Sequence, residues 1–134
     1  MTFGRDFAYI GNQYHLEIFG EELFPDLLFL NRELNCMVVV ELKKGAFKPA
    51  YIGQLQTYMK VLDDKVRKPH ENPTIGILLC KSANKAFVEY VIRDYSHPMG
   101  VATYKTAEDM SEELRKALPD MDEMRKLLTC DENV

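Results

Sequence analysis

Residues 24–45 read FPDLLFLNRELNCMVVVELKKG, and the fold turns on that stretch. Leu27, Leu28, Phe29 and Leu30 make one apolar run, Met37, Val38, Val39 and Val40 a second, with a short polar turn between them. Apolar, β-branched runs on either side of such a turn predict two antiparallel strands. Each strand carries an acid where apolar residues would otherwise sit: Asp26 in the first and Glu41 in the second, with Lys43 two places on. An unpaired charge among core strands costs several kcal/mol or neutralises itself. These acids need a reason to be there.

Register offers one. Side chains alternate between the faces of a strand, so Met37, Val39, Glu41 and Lys43 share a face, as do Phe24, Asp26, Leu28 and Leu30. With Glu33 and Leu34 central in the turn, Asp26 lies across from Glu41, their Cβ atoms about 4.5–5.5 Å apart. A slip of one residue would send the two acids to opposite faces; a slip of two would keep them together. Carboxylates that close repel, and a shared proton, a nearby cation such as Lys43, or a metal relieves them. Oxygen-only donors suit Mg2+ or Mn2+ rather than zinc, and Mg2+ needs only one or two protein carboxylates beside waters and phosphate oxygens.

The rest of the chain predicts an α/β layer structure with a mixed sheet. The segments AYIGNQYHLEIFG, ELFPDLLFLN and CMVVVEL read as strands, and GAFKPAYIGQLQTYMKVLDD as a helix with Pro49 in its first turn. Tyr51, Leu55, Met59 and Leu62 recur in that helix at helical spacing. KVRKPHENP reads as a polar loop and TIGILLC as a strand buried on both faces. Residues 87–92 and GVATY read as two further strands, and the tail as two short amphipathic helices, the first opened by Thr106 and Asp109.

At 134 residues the chain is one domain, 1–134, and a 46% hydrophobic composition is ample for a core. Its net charge of −4 argues against nucleic-acid binding through bulk charge, so any such binding must use local patches. Cys36, Cys80 and Cys130 lack both zinc spacing and a disulfide framework, and the first two read as buried, inert thiols. With no basic and apolar leader and no run long enough to span a bilayer, a cytoplasmic protein is expected.

Spacing alone is weak support for a site. A chain of this length yields about one acid–x–Lys by chance, and Asp63 with Lys65 also matches, at a helix end where a solvated surface is the plain reading. Strand context and the Pro25–Asp26 pair lift the first match. FPD, fourteen residues, then ELK resembles the active-site motif of the PD-(D/E)XK nuclease superfamily, and Gln54 with Tyr58 is similar to its Gln-x-x-x-Tyr element. The segments GRDFAYIGNQYHLEI, DLLFLNRELNCMVVVELKKGAFKPAYIGQLQTYMKVLDD, ENPTIGILLCKSANKAFVEYVIRD and PMGVATY together resemble the C-terminal nuclease-like domain of the bacterial YhcG family.

The resemblance implies a restriction-endonuclease-like core, a central mixed β-sheet flanked by α-helices. It implies Mg2+ (or Mn2+) at Asp26 and Glu41 with Leu42 as a further metal contact, Lys43 and Gln54 as catalytic residues, and cleavage of DNA phosphodiesters. It also implies an N-terminal domain of a longer parent protein. Superfamily members often add an acid from a helix before the first strand; Gly4 here opens directly into strand residues, so that core helix is expected to be missing. Glu17 is a substitute if it shares the site's face, and otherwise a solvent-facing strand residue.

Gln54 and Tyr58, four apart, share a helical face. Over the Glu41 face they would contact water or phosphate; elsewhere they are a solvated amide and a packing tyrosine. Lys44 and Lys48 flank the motif where a phosphate backbone would pass. Lys60, Lys65, Arg67, Lys68 and His70 form a second basic cluster, either a nucleic-acid contact or a solvated face. The main expectation is a DNA endonuclease. Its rival is an inactive nuclease-like module that binds nucleic acid or protein. RNA stays open as a substrate, and a homodimer is a common arrangement for cutting both strands, although no residue marks an interface.

Overall fold

The computed structural model describes residues 7–103. The elements run β1 (Phe7–Asn12), β2 (Leu16–Ile18), β3 (Glu21–Leu23), β4 (Leu27–Asn31), β5 (Cys36–Leu42), α1 (Pro49–Lys65), β6 (Asn72–Cys80), α2 (Lys85–Ile92) and β7 (Met99–Thr103). Five strands form a mixed sheet in the order β1-β4-β5-β6-β7, while β2 and β3 form a separate hairpin. β1/β4 and β4/β5 are antiparallel, and β5/β6 and β6/β7 are parallel. Parallel neighbours need a crossover; α1 and α2 supply the two.

The β4–β5 hairpin has the expected register. Leu27 pairs with Val40 and Asn31 with Cys36, so one further step sets Asp26 opposite Glu41. Asn31 Oδ1 accepts the Leu34 N–H at 2.9 Å, and Asn35 takes a left-handed φ of 51° to close the turn. Alternation then sorts the core. Leu28, Met37, Val39 and Leu78 face α1, while Leu27, Phe29, Val38, Val40, Ile77 and Leu79 fill the opposite, equally buried face. From α1, Ile52, Leu55, Met59 and Leu62 pack down fully buried, each apolar side chain contributing roughly 1.5–3 kcal/mol. The helix comes so close at Gly76 that a Cβ there would run into Met59 and Leu55. Pro49 opens α1 as expected.

Several expectations need correction. Residues 87–92 belong to a helix. Their β-branched and aromatic content suggested a strand, but Asn84 Oδ1 caps the Phe87 N–H at 3.2 Å, and the β6-to-β7 crossover needs a helix there. AYIGNQYHLEIFG is two strands broken by a left-handed turn at Gln13 (φ 50°). Asp26 lies just before β4 rather than within a strand. Asp63 is not a plainly solvated residue: its Oδ1 accepts the Thr74 N–H at 2.9 Å and the Thr74 hydroxyl at 2.7 Å. The expected tail helices, the expected absence of an N-terminal core helix and Cys130 fall outside the described residues. Among those described, no helix is long and apolar enough to cross a membrane.

Candidate active site

The hairpin's antiparallel geometry brings the start of β4 and the end of β5 to one edge of the sheet. Pro25, which has no N–H to donate, precedes Asp26 there, and the Asp26 main chain serves the site rather than the ladder. Its N–H donates to Glu41 Oε1 at 2.9 Å. In return Asp26 Oδ2 accepts the Leu42 N–H at 2.9 Å. The two acids are thus held by main chain, Glu41 by that of Asp26 and Asp26 by that of Leu42, the residue after Glu41. Upstream, His15 Nε2 lies 3.3 Å from Glu22 Oε1 and its ring stacks on Phe24, which fixes the approach to Pro25 and Asp26.

Glu41 is only 2% exposed. Burial first, and then the Asp26 charge beside it, push its carboxyl up to about 8, only partly opposed by the hydrogen bond from the Asp26 N–H and the positive charge of Lys43. Lys43 leaves the end of β5 and its Nζ donates to Gln54 Oε1 at 2.9 Å, 4.7 Å from the centre of the Tyr51 ring. Gln54 Nε2 in turn donates to the Tyr58 hydroxyl at 3.0 Å, one helical turn along α1. Tyr58 is buried, and its phenol is raised chiefly by that burial and by the Glu41 charge.

Asp26, Glu41, Lys43, Gln54 and Tyr58 therefore form one connected group. Leu42 joins it through its main chain. Lys44 and Lys48 are exposed at its rim, Lys48 Nζ lying 6.0 Å from the Tyr51 ring. Glu17 is exposed and pairs across the small hairpin with Glu22, between the inward-facing Leu16 and Ile18. Among the described residues, no cluster of three or more Asp, Glu, His and Cys side chains is placed to hold a metal. Of the second basic cluster, Lys60 and Lys65 lie in the last turns of α1, and Arg67, Lys68 and His70 in the loop between α1 and β6.

One residue of this group went unread in the sequence. Gln13 donates its main-chain N–H to the Asp26 carbonyl at 2.9 Å and its side-chain Nε2 to Asp26 Oδ1 at 2.8 Å. The clue was local: Gly11-Asn12 is a turn signal, and a non-glycine residue held at positive φ is uncommon. Both Asp26 oxygens thus accept N–H donors, one from the Gln13 side chain and one from the Leu42 main chain.

The YhcG PDDEXK nuclease domain, as a family, matches residues 1–119. The YhcG protein of Escherichia coli (strain K12) is 32% identical over 105 residues, 78% of this chain, and the chain spans only 28% of that relative's length. Among solved structures, a repair endonuclease from Pyrococcus abyssi aligns with a TM-score of 0.51 at 16% identity, over 74% of this chain and 39% of that one. The apo form of EndoMS aligns at 0.50 and 16%, over 76% and 40%. These last two likenesses concern the fold, which is the mixed sheet with flanking helices expected from the sequence. With the family matched over nearly its whole length, the chain belongs to the YhcG PDDEXK nuclease domain family.

Proposed function

We propose that this chain is a metal-dependent endonuclease that hydrolyses DNA phosphodiester bonds at Asp26, Glu41 and Lys43. The observation that carries the reading is buried Glu41 set against half-buried Asp26 with an amine alongside. Burial and then the Asp26 charge raise Glu41 to about 8, a cost that a further positive charge received there would relieve. The donor set fits a hard dication: two carboxylates, a main chain at Leu42 and no nitrogen or sulfur ligand. Asp26 and Glu41 would hold Mg2+ or Mn2+, with the Leu42 carbonyl as the remaining protein oxygen. Such an ion supplies Lewis acidity at the phosphate and the charge that lets both acids ionise together.

The chain's own groups do the rest. Gln13 and the Leu42 N–H fix the direction of Asp26. Tyr58 grips the Gln54 amide, and Gln54 with the Tyr51 face holds the Lys43 amine next to the acids. From there Lys43 offsets the negative charge that gathers on the phosphate as water attacks in line. The P–O3′ bond breaks, leaving a 5′-phosphate and a 3′-hydroxyl. Tyr58, being buried, acts through Gln54 rather than on substrate.

The test is plasmid cleavage with Mg2+ and Mn2+, with metal titration by calorimetry on wild type and Asp26→Ala. Metal-dependent nicking in wild type, and loss of both metal binding and nicking in Asp26→Ala, are expected. No cleavage under any divalent ion, with saturable binding of nucleic acid or protein intact, would replace the hydrolase with a binding module.

A further inference from the structure

We infer that Lys81 and Lys85, on the loop that enters α2, extend the DNA-binding surface beyond the cleavage site and carry the phosphate backbone across the carboxyl ends of β5 and β6. The inference rests on the endonuclease reading for its ligand and on geometry for its place. Segment 81–85 is laid alongside segment 43–48 by main-chain bonds: Lys43 N–H to the Leu79 carbonyl at 2.8 Å, Lys81 N–H to Gly45 at 2.9 Å and Phe47 N–H to Ser82 at 2.9 Å. Ala46 and Ser82 form a parallel bridge, and the Phe47 and Phe87 rings meet edge to face at 6.0 Å. The two loops therefore form one ledge.

That ledge is basic in a chain that is not. Lys44, Lys48, Lys81 and Lys85 are all exposed on it, and neither segment contains an acid. Lys43 and Lys48 sit on the ring of Tyr51 at 4.7 and 6.0 Å, so the positive surface begins beside the acid pair and reaches the first segment of the ledge. A strand whose scissile phosphate sits at Lys43 would place its neighbouring phosphates along this ledge.

The second basic cluster does not compete. It runs from the last turns of α1 into the loop after it, at the opposite end from Lys48 of a helix whose 17 residues span roughly 25 Å at about 1.5 Å per residue. Its charges are interleaved with Asp63, Asp64 and Glu71, and the Arg67 side chain turns inward, its Nε donating to the Glu71 carbonyl at 3.0 Å.

The experiment is anisotropy of a short fluorescent DNA duplex, titrated with the chain across a salt series with a chelator present. Lys81→Gln/Lys85→Gln should weaken binding about tenfold or more and lower the slope of log affinity against log salt by about 2, roughly 0.9 per lost phosphate contact. Lys81→Arg/Lys85→Arg should keep the wild-type slope, which separates lost charge from a disturbed loop. Lys65→Gln/Lys68→Gln should bind as wild type. An unchanged slope in the first variant, or an equal loss in the third, overturns the inference. A wild type that cuts DNA while Lys81→Gln/Lys85→Gln binds normally sinks the ledge and spares the endonuclease; a wild type that binds through these lysines but never cuts does the reverse.

Discussion

Two stretches of this chain spell acid, any residue, lysine: Glu41-Leu42-Lys43 and Asp63-Asp64-Lys65. Each acid receives a main-chain N–H at 2.9 Å. What stands across from them differs. Asp63 faces the hydroxyl of Thr74, which donates to it, so the contact is complete within the fold. Glu41 faces a second carboxyl, that of Asp26, and its burial together with that neighbouring charge pushes it up to about 8. The lysines differ likewise: Lys43 is gripped by Gln54 and Tyr51, while Lys65 is exposed. The pattern in sequence is the same; the partner across the fold decides whether it is a tie or a site.

The sharpest way to break that contrast is cleavage. Glu41→Ala and Lys43→Ala should each lower plasmid nicking by at least about 10^2–10^3-fold, while Asp63→Asn and Lys65→Ala should nick like wild type. Comparable losses at the two places would erase the distinction.

A second test uses acidity. Folded Glu41 holds its proton up to about 8, against an ordinary value of 4.5. Between those values the folded state binds more protons than the unfolded chain, so metal-free stability should fall as pH rises from about 4.5 to about 8, by a few kcal/mol in total. Glu41→Gln should flatten this decline and melt above wild type at the alkaline end; Asp63→Asn should keep it. Denaturant midpoints across pH read the effect, and a wild-type curve without the decline would contradict the buried-pair description.

Asp63→Ala should do the opposite of Glu41→Gln. It strips the acceptor from the amide and hydroxyl of Thr74, which is fully buried, and should cost roughly 1–3 kcal/mol of stability with the rate of cleavage unchanged. The smallest expected effect is at Gln13. Gln13→Gly keeps the left-handed turn but loses the amide on Asp26, and should weaken Mg2+ binding in calorimetry by about tenfold with melting little altered. Unchanged Mg2+ affinity would make Gln13 a turn residue only.

Much of the site was legible because it is built by local rules. The β4–β5 register follows from alternation and a short turn, both visible in residues 24–45, and that register alone sets Asp26 against Glu41. Gln54 and Tyr58 meet because they are four apart on a helix, and they do bond at 3.0 Å. What escaped depends on distant partners. Gln13 reaches Asp26 across 13 positions, and Thr74 reaches Asp63 across 11; neither pairing has a period. Residues 87–92 read as a strand because their composition favours one, while the crossover between parallel β6 and β7 places them in a helix. The helical spacing of Phe87, Val88, Val91 and Ile92 was present but short.

Gly76 gives the helix its seat, and the seat sets the aim of the amine. Leu55 and Met59 rest against bare main chain there, and Gln54 and Tyr58 occupy the neighbouring positions of the same helix. A methyl at residue 76 would force Met59 and Leu55 to give way, and any shift of α1 that relieved it would move the Gln54 amide relative to Lys43, one residue past β5. The dry underside of the helix thus bears on the polar group above it: a change confined to greasy atoms would be read in the Lys43–Gln54 contact.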